Sequence, residues 1–299
     1  MMEEKQITTN EQLEAELQSL RSKATVAKIL TYGSGAAAIL CFITGLIPVA
    51  IVFIVLALVG GYQLGKNSSR LKKILSDNVI SSVLKEALGD AVEYNPWGKI
   101  NPGSMVFPFS YNCADGSDHI KAAYNGVNVE LGDIELIDES EVTDEEGRTE
   151  RTRNTQFMGQ WLTCDFGKEL AGEVYISERT KKTRRSLKSN VTMDNEQFDK
   201  RFCVRADDPQ EAYYILTPHM MEYIISIADK SGGTVYMSFL RDGKLHVAVQ
   251  TGRDFFELGK NNANVEELRQ KFLGELRWFT DIVDTLRVED TLYKKESNI

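Results

Sequence analysis

From Ile29 to Leu64 the chain reads ILTYGSGAAAILCFITGLIPVAIVFIVLALVGGYQL, 36 residues without a charge. Nothing else in the sequence resembles this run, and it limits what the chain can fold into more than any other feature. A straight α-helix of that length would run roughly 54 Å, against a bilayer hydrocarbon core of about 30 Å. The run is too long for one span and suits two. Gly45-Leu46-Ile47-Pro48 marks its middle. Glycine permits a tight reversal, and proline fits the first turn of a helix because it lacks an N–H. The residues therefore predict one helix near Ile29–Leu46 and a second near Pro48–Leu64.

Folding the run about Leu46 and Ile47 sets Gly33 and Gly35 opposite Gly60 and Gly61, and Tyr32 near Tyr62. Small residues let helix backbones approach closely in lipid, and tyrosine anchors the headgroup level. These six positions are the expected packing and interface residues of a transmembrane hairpin. Arg21, Lys23 and Lys28 precede the run, Lys66, Arg70, Lys72 and Lys73 follow it, and the turn is uncharged. Cytoplasmic flanks carry the excess of Lys and Arg, so both termini are expected in the cytoplasm, with two spans and the lipid bilayer as a partner. A cleaved leader fits poorly, since 28 mostly polar residues come first. A buried helix pair in a water-soluble protein, and a hairpin that dips in without crossing, are the remaining readings.

The flanks are helical too. Leu13, Leu17, Leu20 and Ala24 share one face before the run, and Leu71, Ile74, Leu75, Val79, Ile80, Val83, Leu84 and Leu88 share one after it. Their apolar faces call for packing on each other or on the domain, or for a protein partner or self-association. The expected organisation is a helical N-terminus (1–28), a hairpin (29–65), an amphipathic helix (66–94), an α+β domain (95–292) and a polar tail (293–299).

Beyond Asn95-Pro96 and Asn101-Pro102-Gly103, both turn signals, β patterning begins. Asn125-Gly126 and Asp242-Gly243 each sit between alternating runs and predict tight hairpins. Asp138 to about Asn154 reads as an exposed acidic loop. Strands are expected over Phe157–Phe166, Gly172–Ser177 and Phe198–Val204. Asp208-Pro209 and Thr217-Pro218 read as helix starts, a cap followed by proline. A last helix is expected over Asn264–Arg287, burying Leu268, Phe272, Leu276, Phe279, Val283 and Leu286. The fold class is α+β: a two-helix transmembrane hairpin, then a mainly antiparallel β domain with two or more packed helices. About seven strands are expected, which could close into a small barrel of the lipid-headgroup-binding type.

The segments QFMGQWLTCDFGKELAG, FDKRFCVRADDPQEAYYILTPHMMEYI and VYMSFLRDGKLHVAVQTGRDFFE resemble the bacterial membrane-protein family catalogued as domain of unknown function 3137. The resemblance runs from about Ile120 to Leu292. It rests on Gly159, Asp165-Phe166, Lys168, Phe198–Val204, Asp208, Glu211-Ala212, Leu216-Thr217-Pro218 and Phe256-Glu257. It implies a membrane hairpin ahead of the domain and a bacterial cell membrane as the location. It implies no activity, so no catalytic residue is carried over.

The net charge is −9 and the pI about 5.1, which argues against nucleic acid as a partner. Cys41 lies in the first span, and Cys113, Cys164 and Cys203 are scattered without metal-like spacing, as suits a reducing compartment. His119, His219 and His246 are far apart in sequence. His246 alternates with Leu245, Val247 and Val249 and is expected on a solvated face. Cys164 reads as a buried thiol, and Asp165, Asp207 and Asp208 as a possible acidic site. No P-loop, GxGxxG or GxSxG is present, and no cofactor, metal or catalytic residue is expected. The strongest candidate surface is the basic run Arg179, Lys181, Lys182, Arg184, Arg185 and Lys188. Lys181, Lys182, Arg184 and Arg185 are the candidate contacts to anionic lipid. The plainer alternative is a solvated loop that balances the acidic residues at 138–150. The expected role is interaction or scaffolding at a membrane, with lipid sensing and an unrecognised enzyme as alternatives.

Overall fold

The computed structural model describes residues 10–143, 149–165, 169–256 and 264–289. The chain divides into two units, residues 1–83 with 258–271, and residues 84–257 with 272–299. Residues 1–9, Phe166, Lys168, Glu257 and the tail from 293, all invoked above, lie outside the described residues, as does the side chain of Leu286.

The first unit is helical. α1 (Asn10–Ile43) and α2 (Ile47–Leu75) are joined at Gly45, whose φ of +76° turns the chain back. Neither helix breaks where the apolar run begins or ends. α2 passes through a π-helical turn, Ser76–Ile80, into α3 (Ser81–Leu88). Leu13, Leu17 and Leu20 of α1 and Leu75, Val79, Ile80 and Val83 are buried, as the 3.6-residue period requires. Arg70 pairs with Glu16 at 2.7 Å, and the Glu14 carboxylate accepts the Val265 N–H at 3.2 Å.

The second unit is built on one antiparallel sheet of eight strands: β1 (Glu93–Asn95), β2 (Cys113–Tyr124), β3 (Val127–Thr143), β4 (Thr149–Asp165), β5 (Val174–Glu178), β6 (Phe202–Ala206), β7 (Thr234–Phe239) and β8 (Lys244–Gln250). Their order is β1-β2-β3-β4-β8-β7-β5-β6. The first and last strands do not pair, so the sheet is open and the barrel reading is corrected. The free edge of β6 is covered by its own chain. Asn190 bonds both the N–H and the C=O of Ala206, at 3.0 and 2.8 Å, and Ser189 Oγ accepts the Val204 N–H at 3.1 Å. Such cover removes an edge that would otherwise pair with another chain.

Both predicted tight hairpins form. Asn125 and Gly126 take φ of +49° and +84° between β2 and β3, the two positive values that a type I′ turn needs, and Gly243 takes +79° between β7 and β8. Four further helices follow: α4 (Glu196–Arg201), α5 (Pro209–Ile215), α6 (Pro218–Lys230) and α7 (Val265–Glu289). Asp208 and Thr217 cap α5 and α6 through the amides of Gln210 and Met220.

Three further expectations are corrected. Residues 138–143 and 149–154 of the acidic segment are not loop but paired strand, the far part of β3 and β4. Charges pair across these strands, Glu141 with Arg151 and Glu135 with Arg153. Phe198 lies in α4 rather than a strand, because Asn195 accepts its N–H at 3.0 Å and starts a helical turn. His246 is buried, because the sheet is covered on both faces. One face receives the strap 96–112, where Ile100, Met105, Phe107 and Phe109 pack on Ile134, Leu136, Phe157, Trp161, Tyr236 and Ala248. The other face presents Leu131, Leu162, Cys164, Val247 and Met237, also buried. The strap has little regular structure of its own. Ser177 Oγ ties it to the sheet by donating to the Val106 carbonyl at 2.6 Å.

Candidate functional site

The hairpin shows where small residues matter. The seam between α1 and α2 buries Ala27, Ser34 and Ala38 on one side and Ala50 and Gly60 on the other. A side chain at Gly60 would lie 2.7 Å from Thr31 Oγ1 and 3.0 Å from its backbone N. Gly33, Gly35 and Gly61 have no atom within 4 Å of the position a side chain would take. Gly35 and Gly61 instead line an apolar cleft with Ala38, Ala50 and Ala57. Tyr32 and Tyr62 are exposed, and so are most of the large apolar residues between them, Phe42 at 71 % and Leu58 at 68 % among them. Two helices are thus long and apolar enough to cross a membrane.

Within the sheet domain, two buried polar clusters stand out. His246 of β8 faces Thr163 and Trp161 of β4. Its Nδ1 accepts the Trp161 indole N–H at 3.1 Å and lies 3.0 Å from Thr163 Oγ1, so the proton of the neutral ring is on Nε2. Gly103 of the strap lies over the ring, where a side chain would come within 2.4 Å of Nε2. Burial pushes the imidazole down to about 4.

The second cluster went unread in the sequence. Asp133 sits mid-strand in β3, 3 % exposed, and both its oxygens accept the Phe255 N–H, at 2.9 and 2.8 Å. Gln160 lies 3.4 Å from Asp133 and donates to the Arg253 carbonyl at 2.6 Å. Asp118, buried and at φ +55°, accepts from Ser117 Oγ and from the Tyr94 hydroxyl. Burial pushes the Asp133 carboxyl up to about 8, reinforced by the charge of Asp118 and only partly opposed by the Phe255 N–H. The one available signal was a carboxylate within an otherwise apolar alternation, Leu131-Gly132-Asp133-Ile134.

These two groups titrate with opposite signs. Asp133, raised from the usual carboxylate range, binds a proton in the folded state between about pH 4 and 8 that the unfolded chain lacks. Its contribution to stability is complete below pH 4 and is lost as the pH rises through 8. His246, lowered from about 6.5 to about 4, does the reverse: its contribution is lost as the pH falls through that window. The slopes cancel from about 4 to 6.5, and stability falls by roughly 1.4 kcal/mol per pH unit from there to 8. In Asp133→Asn the fall above 6.5 is expected to vanish and stability to rise with pH below it. Thermal midpoints across this range, compared with wild type, check the sign; a parallel pair of curves would refute the assignment.

The other sequence candidates are apart. Asp165 pairs in register with Lys244, Asp207 forms an ion pair with Arg241 at 2.9 Å, and Asp208 caps α5. His119 bonds Glu130 at 2.9 Å, and His219 is exposed at the start of α6. Cys164 is fully buried, and burial raises its thiol far above the range of a nucleophile. Among the described residues, no three His, Cys, Asp or Glu side chains come close enough to share a metal ion.

The basic run separates into two parts. Arg179 is half-buried, and its guanidinium donates to the carbonyls of Asp199 at 2.5 Å, Leu187 at 3.4 Å and Phe202, and to Ser189 Oγ at 2.7 Å. Lys181, Lys182, Arg184, Arg185 and Lys188 are exposed. Arg179→Met is therefore expected to cost about 2 kcal/mol, and Arg179→Lys nearly as much, because an ammonium lacks the planar fork. Arg185→Met should stay within about 0.5 kcal/mol of wild type. Chemical denaturation of the three variants separates them.

Residues 155–288 match the model of a family described as "Protein of unknown function (DUF3137)". That segment is a DUF3137 domain. The match is shorter at both ends than the resemblance read from the sequence. It takes in most of β4 and everything from β5 into α7. Gly159, Trp161, His246 and the basic turn fall within it, whereas the hairpin, the strap and Asp133 do not. No curated protein and no solved structure gave a significant match.

Proposed function

We propose that this chain is a two-span membrane protein whose DUF3137-containing domain works by binding, as an interaction or scaffolding module on the cytoplasmic side of a bacterial cell membrane. The carrying observation is the exterior of the hairpin. Phe42, Leu58 and their neighbours form an apolar surface that water disfavours and hydrocarbon accepts. The Lys and Arg residues at both of its ends support cytoplasmic termini. Binding is favoured over turnover because the reactive groups the fold buries are engaged internally: His246 by Trp161 and Thr163, and Asp133 by Phe255.

Alkaline carbonate extraction tests the anchor: the full chain is expected to stay in the membrane pellet. A reporter fused after residue 299 is expected to be accessible only from the cytoplasm. Recovery in the supernatant would overturn the anchor. Robust hydrolysis of generic ester or phosphate substrates, abolished by His246→Ala in a folded protein, would overturn the binding role.

A further inference from the structure

We infer that the segment 180–188 is a docking surface for the anionic headgroups of a bilayer, presented by Lys181, Lys182, Arg184, Arg185 and Lys188. The inference deepens the membrane-anchored reading and rests on it.

Three observations carry it. The first is the absence of compensation. The five cations are exposed, and among the described residues none makes an ion pair or side-chain hydrogen bond. Of the acidic residues at 138–150 that sequence alone would set against them, Glu141 is engaged elsewhere, with Arg151. Uncompensated clustering of like charge is unfavourable for folding, and here it occurs in a chain of net charge −9.

The second is preorganisation. Thr180 and Thr183 exchange bonds reciprocally, each backbone N–H donating to the other's Oγ1, at 2.9 and 3.2 Å. The Arg184 and Leu187 amides close the turn on the Thr180 and Thr183 carbonyls. Leu187 is buried beneath it, and Arg179 fastens the Leu187 carbonyl and Ser189 to the body of the domain. The cations are thus held on a fixed turn, which lowers the ordering cost of binding.

The third concerns the occupant. The hairpin on the same chain keeps the domain at a high effective concentration near a bilayer. Exposed cations along one turn suit a field of headgroups, where each Lys or Arg raises partitioning roughly fivefold. A polynucleotide would meet the same cations, but the overall acidity opposes its longer footprint.

The test uses the full chain in nanodiscs, either neutral (phosphatidylcholine) or containing one-third phosphatidylglycerol. Acetylation rates of Lys181, Lys182 and Lys188, read by mass spectrometry, report whether the ammonium groups are engaged. We expect rates about fivefold or more lower in the anionic discs. The protection should fade as salt is raised, disappear in R184E/R185E, and persist in R184K/R185K. Equal rates in the two discs would overturn the proposal. So would protection in neutral discs by inorganic phosphate, which would assign a free-anion site, or by a DNA duplex, which would assign a polynucleotide. If neither disc retains the chain through carbonate, the anchored reading fails separately. The rates are then read with added vesicles of the same compositions, and equal rates would still defeat the surface.

Discussion

Gly159→Ala is expected to lower the stability of the sheet domain by about 3 kcal/mol or more, because among the described glycines its added methyl would meet the shortest contact. A Cβ on Gly159 would lie 1.9 Å from the Val249 carbonyl oxygen and 2.9 Å from the Thr251 amide nitrogen. Both are backbone atoms and neither can rotate aside. The cause is the path of the chain. β8 leaves β4 after the pair Gln160–Val249, and the chain then bonds back through the Gly252 N–H to the Met158 carbonyl at 2.9 Å. It therefore crosses β4 at Gly159, and only a residue without a side chain lets it pass. Thermal unfolding followed by tryptophan fluorescence should show the midpoint lowered by roughly 6–12 °C. Gly274→Ala is the control. It lies exposed in α7 with open space around it, and is expected to stabilise by about 0.5–1 kcal/mol. A Gly159→Ala protein that melts with wild type would mean that the crossing is not as described.

What was legible in the sequence was local chemistry. Asn125-Gly126 and Asp242-Gly243 can turn in few ways, and Asp208-Pro209 and Thr217-Pro218 start helices for reasons contained in four residues. The α+β class follows from those signals together with the uncharged run. What was illegible depended on cover and on partners across strands. Alternation in Lys244–Val249 puts His246 opposite Leu245 and Val247, but it does not say that a strap carrying Phe107 lies over that face. Acidic, polar composition from Asp138 to about Asn154 suggested a loop, because Arg151 and Arg153 become neighbours of Glu141 and Glu135 only once the strands are paired. Arg179 looked like its neighbours in the basic run. It differs because the carbonyls it satisfies come from residues up to Phe202. In the hairpin, fold-back symmetry set glycine opposite glycine, whereas the helical seam follows Ala27, Ser34 and Ala38, two turns and then one turn apart.

Trp161→Ala is expected to cost about 3–5 kcal/mol and to disturb the strap more than the hairpin. Trp161 is fully buried, and its ring lies 6.4 Å from that of Phe107 and 5.9 Å from that of His246. Alanine leaves a cavity between sheet and strap and removes the one indole donor to His246 Nδ1. Trp161→Phe keeps most of the volume but loses that bond, and should cost about 1–2 kcal/mol. The histidine supplies a second readout that does not depend on stability. Its imidazole is held down to about 4 by burial, so water admitted beside it should move its titration back toward the ordinary 6.5. The expected order of that shift is wild type, then Trp161→Phe, then Trp161→Ala, followed by the imidazole proton resonances of His246 at temperatures where each variant is folded. If stability fell as expected while the titration stayed in place, the tryptophan would be filling space without sealing the face. The strap itself, which lies over the ring at Gly103, would then be what keeps water from it.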